Sequence, residues 1–261
     1  MKPSEPLTRQ LDRAVTGGQV RERLAQSRVL IVGVGGLGAP GALRLAAAGV
    51  GTLGLIDGDA VELSNLHRQI IYRTTDIGQP KVAAAAARLA TLYPRVGVRC
   101  FARRLTADNA AHIFGDFDFI IDATDGIASK YLVNDVAVLC GVPFSHAGAL
   151  AFEGQTMTVV PRHSACLRCL FPSPPAPDEM PTCQEAGIIG SVAGSIGVLQ
   201  ATEALKYLLG VGTCLTNRLL TYDALTARWR TIVLARRRDC PLCGEYPTIR
   251  TPAAVEDRTC E

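Results

Sequence analysis

The pattern of apolar and polar residues divides the first 150 residues into short strands and helices. Residues 28–34 and 52–57 are apolar runs without alternation, as in strands that are covered on both faces. Between them, residues 39–48 are rich in alanine and leucine, and Gly49 stands where a helix cap is expected. The order strand, glycine-rich turn, helix, strand predicts the opening unit of a doubly wound α/β sheet.

The alternation of helix and strand continues up to residue 150. Helices are predicted over 81–92, from Thr106 onwards and over 128–140, and strands over 96–101, 117–122 and 143–147. Strands that alternate with helices form parallel sheets with helices on both faces. We therefore expect an α/β fold whose Rossmann-like, mostly parallel sheet spans residues 28–150, after an N-terminal helical arm over residues 1–27.

The pattern changes after residue 150. It predicts an antiparallel strand, a long helix and a hairpin, over residues 155–160, 188–209 and 217–234. Five prolines within residues 171–181 exclude a helix or a central strand there and predict an irregular crossover loop. Residues 151–247 are thus expected to form an antiparallel extension of the same domain, followed by a polar tail over residues 248–261.

Composition narrows the classes of function. The net charge of +3 is too small to favour nucleic acid as a partner. Residues 1–13 lack the apolar core of an export signal, and the most apolar stretch, residues 187–210, contains Gln200, Glu203 and Lys206 and so falls short of a membrane span. We expect a cytoplasmic protein that binds no membrane, with nine reduced cysteines that serve as metal ligands, nucleophiles or core residues.

Two pairs of cysteines have the spacing of metal-binding knuckles. Cys166 and Cys169 form one pair, and Cys240 and Cys243 form the other. Four thiolates make a closed tetrahedral Zn²⁺ site, which is structural because no position stays open for a substrate. A redox-active pair is the alternative, and the presence of two such pairs in one chain disfavours it.

The remaining cysteines carry weaker signals. Cys183 follows the proline-rich stretch and precedes the predicted long helix. A thiol near a helix N-terminus has a lowered pKa, so Cys183 is a candidate nucleophile, with a bystander in a mobile loop as the alternative. Cys100 and Cys140 have no partner pattern, and we expect both in the core.

A glycine-rich turn follows the first predicted strand. Gly33, Gly35 and Gly38 would let the backbone approach a phosphate at the N-terminus of the next helix. Asp57 lies 19 residues after Gly38, where it is placed for ribose hydroxyl groups. Nicotinamide and flavin dinucleotides, S-adenosylmethionine and ATP all use such a turn, and a tight turn without a ligand is the structural alternative.

The residues after Asp57 favour a triphosphate. An arginine side chain can form two hydrogen bonds to phosphate oxygens, and a lysine ammonium is a compact positive charge. Asn65, Arg68 and Lys81 could therefore bind a triphosphate, whereas a dinucleotide would not require them. Asp125 follows a predicted strand at the strand ends where this fold binds ligands, and it could hold the Mg²⁺ that accompanies a triphosphate.

Each of these charged residues also has a structural explanation. Arg68 could form a surface ion pair with Asp59, and Lys81 could lie on a solvated helix face. The order and spacing of the whole set favour function over these separate explanations.

Taken together, these motifs resemble those of the ThiF/MoeB/HesA family, the bacterial relatives of ubiquitin-activating enzymes. The resemblance covers residues 9–243 and rests on Gly33-x-Gly35-x-x-Gly38, Asp57-x-Asp59, Ser64-Asn65-Leu66-x-Arg68-Gln69, Gly78-x-x-Lys81 and Asp122-x-Thr124-Asp125. It implies an adenylyltransferase that uses ATP to activate the C-terminal Gly-Gly of a ubiquitin-like sulfur-carrier protein.

The resemblance also implies roles for individual residues. The nucleotide would be bound by residues of the turn, the loops and the helix that follows them, namely Gly33, Gly35, Gly36, Gly38, Asp57, Asp59, Asn65, Arg68, Gln69, Lys81 and Asp125. Among these, Arg68 and Lys81 would stabilise charge at the α-phosphorus, and Asp125 would bind Mg²⁺. The chain departs from the family in one place, because Gly126 stands where the family often has asparagine.

Three further implications concern the subunit partner and the cysteines. Arg9 matches an arginine that reaches the ATP of a neighbouring subunit, which implies a homodimer in which Arg9 is catalytic. Cys183 matches a cysteine that takes part in acyl or sulfur transfer in several members. The four-cysteine zinc site occurs in many members.

Two other classes of function remain open. One is a Rossmann oxidoreductase that binds NAD or FAD, and the other is a scaffold without catalysis, which the complete set of charged residues disfavours. Within the family, a branch that dehydrates tRNA is disfavoured by the two cysteine pairs.

The sequence does not select one sulfur-transfer pathway. Molybdopterin synthesis, thiamin synthesis and other sulfur-transfer pathways are all compatible with these motifs, and the cysteine motifs favour a MoeB-like protein. Because no sulfurtransferase domain follows Cys243, we expect a separate sulfur donor protein.

Overall fold

A single eight-stranded sheet forms the centre of the computed structural model, which describes residues 20–175 and 187–252. The strands are β1 (Arg28–Val32), β2 (Thr52–Ile56), β3 (Gly97–Phe101), β4 (Phe119–Asp122), β5 (Phe144–Leu150), β6 (Glu153–Val159), β7 (Arg218–Asp223) and β8 (Arg228–Val233). They lie in the order β3-β2-β1-β4-β5-β6-β7-β8. Strands β1 to β5 pair in parallel, and β6, β7 and β8 continue the sheet antiparallel. The predicted mostly parallel sheet with an antiparallel extension is confirmed.

The longer helices match the predicted pattern closely, whereas a short one over Leu167–Leu170 was not predicted. The helices are α1 (Val20–Gln26), α2 (Gly38–Ala48), α3 (Lys81–Leu92), α4 (Ala107–Phe114), α5 (Ile127–Cys140), α6 (Leu167–Leu170) and α7 (Gly190–Leu209). Gly49 caps the C-terminus of α2, and its φ of 92° is the left-handed conformation that the sequence predicts for this cap. Helix α7 begins two residues later than predicted, because Ile188 first forms a bridge with Ala151. Within the described ranges, none of the helices has the length and apolar character that crossing a membrane requires.

Both faces of the parallel sheet are buried. In β1, Val29 and Ile31 belong to the core beneath α2, α3 and α7, whereas Leu30 and Val32 belong to the core beneath α4 and α5. Successive side chains of a strand point to opposite faces, so a strand covered on both faces needs an apolar residue at every position. This explains why the apolar run at residues 28–34 does not alternate.

The carboxyl ends of three strands meet at one edge of the sheet. Val32 of β1 is in register with Ile56 of β2 on one side and with Asp122 of β4 on the other. The turn after Val32, Asp57 after Ile56 and Asp125 after Asp122 are therefore neighbours. This edge is where a fold of this kind binds its ligands.

The prediction that Cys100 and Cys140 lie in the core is wrong, because both residues are exposed. Cys100 lies on β3, an edge strand whose residues are all exposed or half-buried. Cys140 is the last residue of α5. An edge strand and a helix end have neighbours on fewer sides, so an apolar residue there is not enclosed.

Candidate functional site

The turn after β1 contains four glycines, of which two are required by the fold itself. Gly33 has a φ of 88°, and a Cβ there would lie 2.7 Å from the carbonyl oxygen of Ala123. A Cβ on Gly38 would overlap the carbonyl oxygen of Gly33. Gly35 differs, because the nearest atom to a Cβ there is Nε2 of Gln69, at 3.7 Å. The turn therefore has an open side at Gly35, near the N-terminus of α2, where a phosphate can approach the backbone.

Asp57 joins the end of β2 to this turn. Its Oδ2 accepts a hydrogen bond from the backbone N–H of Val34 at 2.8 Å, and its Oδ1 accepts one from the N–H of Asp59 at 2.9 Å. Burial raises the pKa of Asp57, against the opposing effects of Lys81 and the two N–H groups. The carboxylate thus stands at the side of the glycine turn, the position predicted for a group that binds a ribose.

Lys81 brings a positive charge to the same edge. It is the first residue of α3 and is buried, with Nζ 2.9 Å from Oδ2 of Asp59 and 4.0 Å from Oδ1 of Asp57. The alternative of a solvated helix face is therefore wrong. Asp59 also lies 3.7 Å from the exposed guanidinium of Arg104 and forms no ion pair with Arg68 among the described contacts. Two carboxylates hold the Lys81 ammonium, and one of them, Asp57, is bound to the glycine turn through the N–H of Val34.

The loop between β2 and α3 forms a second polar cluster. Oδ1 of Asn65 accepts hydrogen bonds from Nη2 of Arg68 and from Nε2 of Gln69, both at 2.9 Å. Cγ of Arg68 lies 3.5 Å from the position that a Cβ on Gly36 would take. Oε1 of Gln69 is buried without a hydrogen-bond partner in the described part of the chain. Such an orphaned acceptor next to Gly35 is consistent with a ligand or water that completes the site.

Asp125 lies beyond β4, on the other side of the glycine turn, and is exposed to solvent. The preceding carboxylate, Asp122, is fully buried and makes its hydrogen bonds inside the protein. Although burial alone would raise it, the pKa of Asp122 is lowered by Lys130, His146 and Thr124. Of the two acids in this motif, Asp125 is thus the one that a ligand can reach.

Two predicted site residues, Arg9 and Cys183, lie outside the residues that the structure describes. The structure brings the other predicted nucleotide residues together at the carboxyl edge of β1, β2 and β4. Mg²⁺ is usually held by one or two carboxylates together with phosphate oxygens and water, and Asp125 fits that role. Arg68 and Lys81 fit a triphosphate.

The four predicted cysteines form one cluster on the face of the sheet opposite α2. All four are buried, and their sulfur atoms lie within 4.8 Å of one another. The shorter separations are 3.4 Å between Cys169 and Cys243 and 3.7 Å between Cys166 and Cys240. Sulfur atoms at the corners of a Zn²⁺ tetrahedron are about 3.8 Å apart, given a Zn–S bond of about 2.3 Å. The donor set and its dimensions fit Zn²⁺.

The backbone around the cluster favours thiolates. The N–H of Arg237 points at the sulfur of Cys169 and the N–H of Cys243 at that of Cys240, each at 3.5 Å. Gly244 follows the second pair because a Cβ there would lie 2.5 Å from the carbonyl oxygen of Cys240. Donors aimed at sulfur stabilise its anionic form, as metal ligation requires.

Several residues around the two sites were not found by sequence reasoning. Arg168, inside the first cysteine pair, is buried and forms a bidentate ion pair with Asp135 of α5, with both N–O distances at 2.7 Å. Lys130 and His146 surround the buried Asp122. Only Arg168 had a signal in the sequence, a charged residue between two metal ligands.

Comparison with known proteins assigns the chain to a family. The model of the ThiF family matches residues 7–242. A sulfur carrier protein adenylyltransferase of Thermus thermophilus is 44% identical over 247 residues, which cover 93% of this chain and 91% of that protein. A SAMP-activating enzyme E1 of Haloferax volcanii is 43% identical over 229 residues, which cover 88% of this chain and 84% of that protein.

Other relatives share less of their length or sequence. The adenylyltransferase and sulfurtransferase MOCS3 of Sus scrofa is 45% identical over 243 residues, but the chain spans only 53% of that protein. The crystal structure of E. coli MccB with MccA-N7isoASN superposes with a TM-score of 0.78 at 21% identity, over 86% of this chain and 69% of that one, which supports the fold alone. The family match spans the glycine turn, the loop with Arg68, Lys81 and Asp125, and the chain belongs to the ThiF family.

Proposed function

We propose that this protein adenylates the C-terminal glycine of a ubiquitin-like sulfur-carrier protein at the expense of ATP. The observation that carries the proposal is the position of two cations at the glycine turn: the Arg68 side chain lies beside Gly36, and the Lys81 ammonium lies 4.0 Å from Asp57, whose carboxylate accepts the N–H of Val34. The exposed Asp125 follows the neighbouring strand. Arg68 and Lys81 can neutralise the negative charge of a triphosphate, and Asp125 can hold the metal ion that accompanies it. The names of the Thermus and Haloferax relatives support the same substrate class.

The first step is an attack on the α-phosphorus. The carrier's terminal carboxylate is already an anion, so the step needs no general base. A bond forms between a carboxylate oxygen and the α-phosphorus, the bond to the bridging oxygen breaks, and pyrophosphate leaves. Arg68 and Lys81 would stabilise the charge that develops on the phosphate oxygens, and Asp125 would hold the Mg²⁺ that neutralises the leaving group. Catalysis then consists of positioning and electrostatic stabilisation.

The second step is attack by sulfur on the activated carrier. A thiolate adds to the acyl carbon of the acyl-adenylate, the bond to the AMP oxygen breaks, and a thioester forms as AMP leaves. Cys183 is one candidate for this thiolate, and a separate sulfur donor protein is the other. We also propose a cytoplasmic location, because a compartment that keeps thiols reduced leaves the four clustered cysteines available as metal ligands.

We further propose that two copies of the chain share each site. A groove of about 810 Å³ opens beside Arg68, and α7 lines it with four small residues, Gly190, Ser191, Gly194 and Ser195, together with Val198 and Leu199. Small residues allow the backbone of a second subunit to come close. The family resemblance implies that Arg9 of that second subunit reaches the nucleotide, and a groove that opens beside Arg68 is consistent with this arrangement.

Complementation tests the shared site. Arg9→Ala and Arg68→Ala proteins should each be inactive, and a mixture allowed to exchange subunits should recover about a quarter of the wild-type activity. Light scattering on the wild-type protein should give the mass of a dimer. A monomer of full activity, or a mixture without recovery, would contradict the shared site.

Carrier-dependent exchange of pyrophosphate into ATP tests the activity itself. Arg68→Ala and Asp125→Ala should each reduce exchange by about 10³-fold or more. Arg99 and Asp116 form an ion pair of 2.7 Å at the sheet edge, so Arg99→Ala and Asp116→Ala are matched controls that should retain exchange. Exchange that survives in Arg68→Ala refutes its role. A wild-type protein that binds NAD but not ATP refutes adenylation.

A further inference from the structure

The backbone turn that follows β4 is stabilised by the buried side chain of Asp122. Asp122, the last residue of β4, is fully buried, and its Oδ1 accepts hydrogen bonds from the N–H and the hydroxyl of Thr124, at 3.2 Å and 2.7 Å. This local bond from an aspartate to the residue two positions later is a known way of turning the backbone. The turn ends at Asp125, which is exposed.

A lysine from the next helix closes this turn. Nζ of Lys130, in the first turn of α5, donates to the carbonyl oxygen of Thr124 at 2.6 Å and to that of Ala147 in β5 at 2.5 Å. It also lies 3.7 Å from Oδ1 of Asp122. One ammonium group thereby joins the turn, the neighbouring strand and the buried carboxylate.

The remaining acceptors of Asp122 are also occupied. Its Oδ2 lies 2.9 Å from Nδ1 of His146, which is buried on β5. Its backbone carbonyl accepts a hydrogen bond at 2.8 Å from Nε2 of Gln200, a buried residue of α7. Asp122 is fully buried and each of its oxygens already accepts a hydrogen bond, whereas Asp125 is the acid that a ligand from solvent can reach. The two acids of this motif therefore differ in their contacts. Asp122 forms hydrogen bonds within the turn, and Asp125 is exposed at the end of that turn.

We propose that Lys130 and Thr124 are positioning residues that, with the buried Asp122 and His146, hold the turn that presents Asp125 and so set the affinity for the divalent cation of the nucleotide complex. The inference rests on the proposed function, which assigns the metal to Asp125. Without the Lys130 ammonium, Thr124 in the turn and Ala147 in β5 each lose a hydrogen bond, and Asp122 loses its counter-charge. Asp125 then has to be ordered when the cation binds, which weakens binding.

Metal binding, rather than turnover, is the direct test. Mn²⁺ in place of Mg²⁺, with a non-hydrolysable ATP analogue, allows the affinity to be measured by electron paramagnetic resonance of free Mn²⁺. Lys130→Met should weaken Mn²⁺ binding by about tenfold or more, and Lys130→Arg should restore it to within about threefold, because a guanidinium can also donate to both carbonyl oxygens. Binding of the analogue in EDTA should change by less than about threefold in both variants.

Lys206 provides a matched control. It too pairs with a buried carboxylate, that of Glu203, and donates to a backbone carbonyl, that of Thr213 at 2.9 Å, but on the far part of α7. Lys206→Met should therefore lower stability without changing Mn²⁺ affinity. Thr124→Val removes only one hydroxyl and provides a second test if Lys130→Met does not fold; it should weaken Mn²⁺ binding by about threefold.

The outcomes separate this inference from the proposed function. Wild-type Mn²⁺ affinity in Lys130→Met, or in Thr124→Val where the first variant does not fold, overturns the inference. An equal loss in Lys206→Met overturns it too, because the effect would then be one of general stability. A wild-type protein that catalyses exchange while Lys130→Met keeps its Mn²⁺ affinity leaves the proposed function standing and removes only the positioning role.

Discussion

The cysteine cluster and the strand-end site share one sheet but are constructed in opposite ways. The cluster consists of four identical side chains, all buried, with sulfur atoms as close as 3.4 Å. The strand-end site consists of unlike residues from separate loops, with Asp125 exposed and Lys81 shared between two carboxylates. A closed set of equal ligands suits an ion that stays, whereas an open set of paired charges suits a ligand that enters and leaves.

The difference shows where stability and activity should separate in this protein. Substitutions at the cysteine cluster remove metal ligands or leave buried polar groups without partners. They should therefore act mainly on the free energy of unfolding. Changes at Gly35, Arg68 and Asp125, which border the open side of the strand-end site, leave no buried charge unpaired, so they should act mainly on binding and rate. The following experiments test that separation.

Loss of one cysteine ligand should have the largest effect. Cys240→Ser should abolish zinc binding and lower the free energy of unfolding by more than about 5 kcal/mol, because structural zinc binding is coupled to folding. The melting temperature should fall by more than about 10 °C. Cys100→Ser, at an exposed position, is the control and should keep both zinc and stability. A Cys240→Ser protein with full zinc content would exclude the four-ligand site.

The ion pair beside the cluster should come second. Asp135→Ala leaves the guanidinium of Arg168 buried and unpaired, which should cost about 3–5 kcal/mol in chemical denaturation. The zinc content should not change, since all four cysteines remain. Asp118→Ala breaks a comparable but exposed pair with Arg28, of 2.9 Å, and should cost less than about 1 kcal/mol. If Asp135→Ala and Asp118→Ala lowered the free energy of unfolding equally, burial would not explain the contribution of the Arg168–Asp135 pair.

Glycine substitutions should separate fold from binding at the strand-end site. Gly35→Ala meets no atom closer than 3.7 Å, so stability should change by less than about 1 kcal/mol. ATP affinity, measured by calorimetry, should fall by about tenfold or more, because the methyl group occupies the approach to the phosphates. Gly38→Ala should instead prevent stable folding. Unchanged ATP affinity in a folded Gly35→Ala protein would place the phosphates elsewhere.

Acid titration should give the smallest effect and distinguish two neighbouring carboxylates. The pKa of Asp57 is raised above its ordinary value of 3.8, so the folded state gains stability as pH falls through that pKa. The pKa of Asp122 is lowered, so its contribution is present above 3.8 and is lost only as pH falls further, through its folded pKa. Carboxyl NMR should show Asp57 taking up its proton first. The reverse order would contradict the contacts assigned to Asp122.

Much of the fold and of both sites was predictable because the signals are local. The helix at residues 81–92 and the cap at Gly49 follow from short-range pattern and backbone geometry. The open turn and the acids after strand ends follow from the rule that parallel strands bring their carboxyl ends together. The prediction failed for Cys100 and Cys140 because residue type reports a preference for burial, while an edge strand or a helix end decides whether neighbours exist.

The sequence by itself determined the sheet class, the charges at the strand ends and the two cysteine pairs, because each is written in residues close together or at a fixed spacing. Only the tertiary structure decided which partners those residues have. Asp122 meets His146 across 24 positions and Gln200 across 78, and Arg168 meets Asp135 across 33. Contacts between distant segments leave no periodic trace in the chain, since they depend on how helices and strands pack after each has formed.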